Sequence, residues 1–227
     1  MMIKAVLFDL DNTLIDFMTM KRGCVEAAVS AMVKAGLKLD RKKAIKIFYK
    51  LYDKYGIEYN KIFQKFLEEI NRKIDYKILA AGIVAYRKAQ PEFMQPYKNV
   101  IPTLQKLKRK GLRLAIVSDA PRLKAWMRLT EMNLQRFFDV VVAYGDVWER
   151  KPSKLPFRKA LSELKLKPSE VLMIGDNLRK DIAGARKLGM KTCFARYGFY
   201  TKNIPKKGKS GADFEINDVG ELARILG

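Results

Sequence analysis

Histidine is absent from the 227-residue chain. Its absence removes Ser-His-Asp and Cys-His machinery, histidine phosphotransfer, and every His-bearing zinc or iron site. The only cysteines are Cys24 and Cys193. They cannot form a four-cysteine metal site, and nothing points to an oxidising compartment that would pair them. Long apolar runs are missing too. Stretches such as Val140–Ala143 and Val171–Ile174 fall far short of the roughly 20 residues a membrane span needs. Met1–Leu10 carries Lys4 and Asp9 where a signal peptide would have an apolar centre. These absences predict a soluble cytoplasmic protein with no membrane partner. A metal bound here must rest mainly on carboxylate and carbonyl oxygens, which suit a hard cation such as Mg²⁺.

Acidic residues are outnumbered, 24 against 46 basic ones, for a formal charge of +22. A nucleic-acid-binding arm would concentrate that excess. It is spread instead: residues 16–92 hold 17 basic and 9 acidic side chains, the remainder 29 and 15. The densest run, Lys202–Lys209, has Tyr197, Phe199 and Tyr200 as its nearby rings and reads as a solvated basic loop. Nucleic acid is therefore not the expected partner. The chain is 48% hydrophobic with no low-complexity tract, enough to build a core, and its length allows one domain carrying an insert.

Ile3–Leu10 reads as a buried parallel strand bounded by Asp11-Asn12. The rhythm then turns helical. Val25, Ala28, Val29, Met32 and Val33 share one helical face. So do Ala44, Phe48, Leu51, Tyr52 and Tyr55, and then Tyr59, Ile62, Phe63, Phe66, Leu67 and Ile70. A fourth helix holds Ile78, Leu79, Ile83 and Tyr86. After Pro91 and Pro96, helices and strands alternate. Strands are expected at Leu112–Val117, Phe138–Ala143, Val171–Ile174, Lys191–Ala195 and Asp213–Ile216. Helices fall at Val100–Lys110, Pro121–Met132, Leu155–Leu164, Leu178–Leu188 and Val219–Leu226. Such alternation builds a parallel sheet through right-handed crossovers. The prediction is an α/β, Rossmann-like core of residues 1–15 and 93–227, with helices on both faces. An all-helical cap, residues 16–92, interrupts it.

Open parallel sheets bind ligands beyond the carboxyl ends of their strands. Four polar stretches lie there: Asp9-Leu10-Asp11-Asn12-Thr13, Ser118-Asp119-Ala120, Lys151-Pro152, and Gly175-Asp176-Asn177 with Asp181. Asp9 and Asp11, two apart on a strand end, point to one side. Carboxylates that close need a cation or a raised pKa. An isolated Asp after a strand is more often a cap or a turn residue; the weight lies on all four stretches occurring together, in order.

That ordered set resembles the haloacid dehalogenase superfamily over nearly the whole chain. Asp9–Thr13 matches its DxDxT motif, and Ser118, Lys151 and Gly175-Asp176 with Asp181 match the other three motifs. The insert resembles the small helical cap of the branch holding phosphoglycolate-phosphatase-like and 2-haloacid-dehalogenase-like enzymes. The resemblance implies a Mg²⁺-dependent phosphatase acting on a small phosphorylated metabolite through an aspartyl-phosphate. Asp9 would be the nucleophile and Asp11 the general acid and base. Ser118, Asp119 and Lys151 would hold the phosphoryl group, and Asp9, Asp176 and the backbone carbonyl of Asp11 the metal, with Asp181 supporting the site. The family's dehalogenases lack an aspartate two residues after the nucleophile, so Asp11 argues against that reading. A non-enzymatic nucleic-acid-binding protein is the other rival; an intact Asp9–Asp11 pair argues against it. The insert, beginning with Asp16–Arg22 next to Asp9, is expected to select the substrate, with Lys21 and Arg22 within reach of a second anionic group.

Overall fold

The computed structural model describes residues 2–199 and 204–227. The chain divides into two compact units, one of Met1–Phe17 with Gln95–Gly227 and the other of Met18–Met94. After strand β1 (Ala5–Phe8) come four helices: α1 (Phe17–Lys34), α2 (Arg41–Tyr55), α3 (Ile62–Asn71) and α4 (Tyr76–Phe93). Their apolar stripes bury Val25, Val29, Met32, Phe48, Phe66 and Leu79 in one core, with the Phe48 and Phe66 rings stacked 4.0 Å apart. Two aspartates start helices here. The Asp40 side chain accepts from the Lys43 N–H, and that of Asp75 from the Lys77 and Ile78 N–H groups, removing orphan donors.

Two details differ from the sequence reading. Pro91 lies inside α4 rather than beyond it; so close to a helix end it forfeits a bond in a turn already short of partners. Lys21, expected within reach of a second anionic group, is buried. It is 8% exposed, its ammonium 5.1 Å from the Tyr52 ring centroid and 5.6 Å from that of Tyr86, an arrangement that compensates a desolvated cation.

The other unit adds β2 (Arg113–Pro121), β3 (Val140–Tyr144), β4 (Val171–Gly175), β5 (Lys191–Ala195) and β6 (Phe214–Ile216). Its helices are α5 (Val100–Arg109), α6 (Arg122–Glu131), α7 (Lys154–Leu164), α8 (Ala183–Arg186) and α9 (Leu222–Ile225). Among the described residues the strands form one six-stranded sheet in the order β3-β2-β1-β4-β5-β6, every pairing parallel. Alternate strand residues point to opposite faces. Ala5, Leu7, Val117 and Met173 pack with Phe157, Leu161 and Ala185 of α7 and α8. Val6, Phe8, Leu114 and Ile116, equally buried, face the side where α5 and α6 pack on β2. Both faces are covered, which is why the strands read as continuous apolar runs. β1 lies between β2 and β4, so the crossover direction reverses beside it. That switch point is where a doubly wound sheet opens a crevice.

The expected helix Leu178–Leu188 is instead a wide π-type turn, Leu178–Ile182, followed by α8. Cys24 and Cys193 are free, buried thiols. Lys206, Lys207 and Lys209 are exposed; Tyr200 and Lys202 of the same basic run lie outside the described residues. No described helix is long and apolar enough to cross a membrane.

Candidate active site

The loop leaving β1 folds around its own backbone. The Leu10 carbonyl accepts from the Leu14 N–H at 2.9 Å, and Asn12 takes a left-handed φ of 60°, which Asn tolerates better than most residues. This closure buries Thr13 completely and sets its hydroxyl 3.3 Å from Asp9 Oδ2. β1 and β4 run in register, Phe8 beside Ile174, so Asp9 and Asp176 leave neighbouring strand ends.

The π-type turn after β4 explains Asp181. The Asn177 side chain accepts from the Arg179 and Lys180 N–H groups, and the Ile182 N–H reaches back five residues to the Asn177 carbonyl at 3.4 Å. The widened turn folds Asp181 back onto Gly175, where a Cβ would collide with the aspartate carboxyl; only glycine ends this strand. Asp181 is fully buried and its Oδ2 accepts from the Asn177 N–H at 3.0 Å. π-turns recur at functional sites because they re-aim one side chain.

Lys151 joins these groups. It is 4% exposed. Its Nζ lies 2.5 Å from Asp9 Oδ1 and 2.6 Å from Asp181 Oδ1, and donates to the Val117 carbonyl at 2.8 Å. Burial alone would lower its pKa, but the carboxylates of Asp181, Asp9 and Asp119 outweigh that and hold the ammonium charged. One cation does not satisfy three carboxylates. Asp9, Asp176 and Asp181 each present an oxygen within 4.8 Å of the others. Burial, with Asp9 and Asp181 adding, pushes Asp176 up to about 9. Burial likewise pushes Asp181 up to about 7, against the opposing pull of Lys151. An all-oxygen cluster with negative charge in excess is chemically suited to a hard divalent cation.

A thermal expectation follows from those two carboxyls. Their folded-state pKa values exceed the ordinary 3.8. Without metal, these two carboxyls therefore hold more protons in the folded protein than in the unfolded chain, from about pH 4 up to about pH 9, and their contribution to stability falls as pH rises through that window. Lys151 stays charged throughout and adds no slope. In EDTA the Tm should decline between about pH 5 and about pH 9. Added Mg²⁺ should flatten the decline, its Tm gain growing with pH. A Tm indifferent to Mg²⁺ across that range would remove the cluster from consideration as a metal site.

Ser118 and Asp119 sit where β2 slips register against β3, between Val117 and Pro121, the kind of irregularity that re-aims groups beside active sites. The Ser118 Oγ accepts from the Ala120 N–H at 3.1 Å. The Asp119 carboxylate faces protein groups. It accepts from the Lys151 N–H at 2.9 Å and pairs with Lys180 Nζ at 2.9 Å. It thereby braces the Lys151 segment. The Asp11 side chain is not one of the three clustered carboxylates; its Oδ2 lies 2.6 Å from Arg128 Nη1.

Three further residues shape the site. Arg128, on α6, is 5% exposed. The Tyr197 hydroxyl, in the segment after β5, donates to the Thr13 carbonyl at 2.8 Å. Beside it, a Cβ on Gly198 would collide with the Asn12 carbonyl and crowd the Asp176 Cβ. Gly198→Ala must displace the loop between Asp9 and Thr13. It should cost about 1–3 kcal/mol of stability, as overpacking does, and lower turnover by about 10²-fold through misplacement of the reacting groups. Wild-type kinetics in a folded variant would show that the loop tolerates the shift.

Comparison with known proteins agrees with this geometry. A family model described as "Haloacid dehalogenase-like hydrolase" matches residues 6–195. The glyceraldehyde 3-phosphate phosphatases of Methanopyrus kandleri and Methanocaldococcus jannaschii are each 34% identical to this chain, over 99% of it and 97% of the relative. A crystal structure of a HAD phosphatase from Thermococcus onnurineus superposes with a TM-score of 0.74 at 28% identity, covering 99% of this chain and 98% of the other. With a family model over most of its length and phosphatase relatives 34% identical over nearly all of it, the chain belongs to the haloacid dehalogenase-like hydrolases as a phosphatase of that family.

Proposed function

We propose that the protein is a Mg²⁺-dependent cytoplasmic phosphatase for a small phosphorylated metabolite, with three-carbon phosphates such as glyceraldehyde 3-phosphate leading the substrate class. The carrying observation is the buried contact of Lys151 with Asp9 and Asp181, next to Asp176 at the adjacent strand end. The substrate class is favoured by the name shared by its 34%-identical relatives.

Asp9 is the nucleophile: Thr13 and Lys151 hold its two oxygens from opposite ends, restricting its rotation toward an in-line attack on phosphorus. Lys151 neutralises charge that develops on the transferring phosphoryl group, with Ser118 alongside. Asp11 exchanges protons with the leaving alcohol and the attacking water. Asp9, Asp176 and the Asp11 carbonyl would hold Mg²⁺, Asp181 and Lys151 setting the charge around them; when bound, the cation screens Asp9 from the anionic ester.

A panel of phosphomonoesters assayed with Mg²⁺ tests this reading: glyceraldehyde 3-phosphate, glycerol 3-phosphate, phosphoglycolate, a hexose phosphate, a nucleoside monophosphate and p-nitrophenyl phosphate. The expected result is turnover that EDTA abolishes and that favours three-carbon esters. Full activity after exhaustive metal removal would overturn the metal role. A preference for nucleoside monophosphates would overturn the substrate class.

A further inference from the structure

Arginine is seldom buried without a purpose for its charge. Arg128 lies on the inward face of α6 at 5% exposure, with its guanidinium carbon 4.3 Å from the Phe17 ring centroid and Nη1 2.6 Å from Asp11 Oδ2. Phe17 opens the helix that follows the nucleophile loop, and Asp11 lies two residues beyond Asp9. One rigid, planar group on a sheet-packed helix thus engages both the acid–base side chain and the exit of its loop. We infer that Arg128 is a positioning residue for Asp11: it grips Oδ2 so that the carboxyl is presented in one orientation for both proton transfers. The inference rests on the phosphatase reading above.

The two transfers define what must be positioned. In the first, an Asp9 oxygen bonds to phosphorus as the bond from phosphorus to the ester oxygen breaks, and the Asp11 proton passes to that oxygen to release an alcohol. In the second, water bonds to phosphorus as the bond to Asp9 breaks. Asp11 takes the water's proton, inorganic phosphate leaves, and both aspartates return to their starting forms. Asp11 serves twice from one place. A carboxylate on a loop has free rotation to lose, and a stacked guanidinium, pre-organised by its planarity, removes it at low entropic cost. A lysine offers a point charge without the fork or the ring stacking.

The test compares kcat/KM, which covers steps through alcohol release, on two esters: p-nitrophenyl phosphate, whose leaving group needs no proton, and the best alkyl phosphate of the panel above. Arg128→Met should lower kcat/KM on the alkyl ester by about 10²-fold, the scale of losses from misplaced catalytic groups, and on p-nitrophenyl phosphate by far less. Arg128→Lys should fall between. In an Asp11→Asn background, Arg128→Met should cost nothing further on the alkyl ester, because the group it positions is gone. Circular dichroism and Tm establish folding; if Arg128→Met does not fold, Arg128→Lys carries the same comparison. Equal losses on both esters, or losses that add fully in the double variant, would overturn the inference and leave Arg128 a packing residue. A wild-type enzyme inert toward both esters would fail earlier, at the phosphatase reading itself.

Discussion

Asp9→Asn should abolish turnover and raise the melting temperature of the metal-free protein in the same experiment. The catalytic loss should be on the order of 10⁶-fold, the scale found when a covalent nucleophile is removed, with no phosphoenzyme trapped by acid quench. The thermal gain comes from the cluster. Asp9 is one of the charges that push Asp176 up to about 9, and neutralising it relieves a repulsion between buried carboxylates. Relief is greatest where Asp176 would otherwise be forced to ionise, so the Tm difference from wild type should widen from about pH 6 to about pH 9 in EDTA. Such an exchange of stability for activity is common where charges are crowded for chemistry. A variant as active as wild type, or one that melts lower at alkaline pH, would contradict the assignment of Asp9.

Lys151→Met should be nearly as damaging to catalysis and opposite in its effect on stability. The methionine approximates the lysine stem but leaves Asp9 and Asp181 without the ammonium that now lies 2.5 Å and 2.6 Å from them. Removing one partner from a buried ionic cluster costs about 3–5 kcal/mol, because the remaining charge is uncompensated. That penalty is pH-dependent. Asp181 is already pushed up to about 7 by burial, and without Lys151 it protonates more readily still. The variant should therefore recover much of its stability near about pH 5 and lose it as pH rises through neutrality. Turnover should fall by at least about 10²–10³-fold, the loss typical of deleting one preorganised donor to a developing charge. A Tm deficit independent of pH would place the cost in packing rather than in the ion cluster.

The structure shows what fixes Lys151 in place. The Asp119 carboxylate holds its backbone N–H, and Asp119 is itself held by Lys180 from the π-type turn. The motifs after β2, β3 and β4 thus brace one another before any substrate arrives. Preorganisation of this kind lets phosphoryl transfer proceed by electrostatics with little reorganisation.

Much of this was legible in the chain. Alternation of apolar strands with amphipathic helices, the helical insert after β1, and polar motifs at strand ends are local patterns. They rest on periodicity, caps and turn chemistry, which act over a few residues, and they sufficed to expect the parallel sheet and to gather Asp9, Ser118, Lys151, Asp176 and Asp181 at one edge. One clue to Arg128 was also present. Ala125, Arg128, Leu129 and Met132 follow the spacing of one helical face and are all buried. The cue was masked because the opposite face carries Leu123, Trp126 and Met127, all exposed, so hydropathy alone points the helix the wrong way round. What only the tertiary structure decided are contacts between residues far apart in the chain: Arg128 with Asp11, Tyr197 with Thr13, Gly198 against Asn12, and the Asp119 carboxylate turned to Lys151 instead of outward. In a parallel sheet each strand end is brought to its neighbour by a crossover many residues long, so the partner of a catalytic side chain is set by sheet order and register, which no local periodicity encodes.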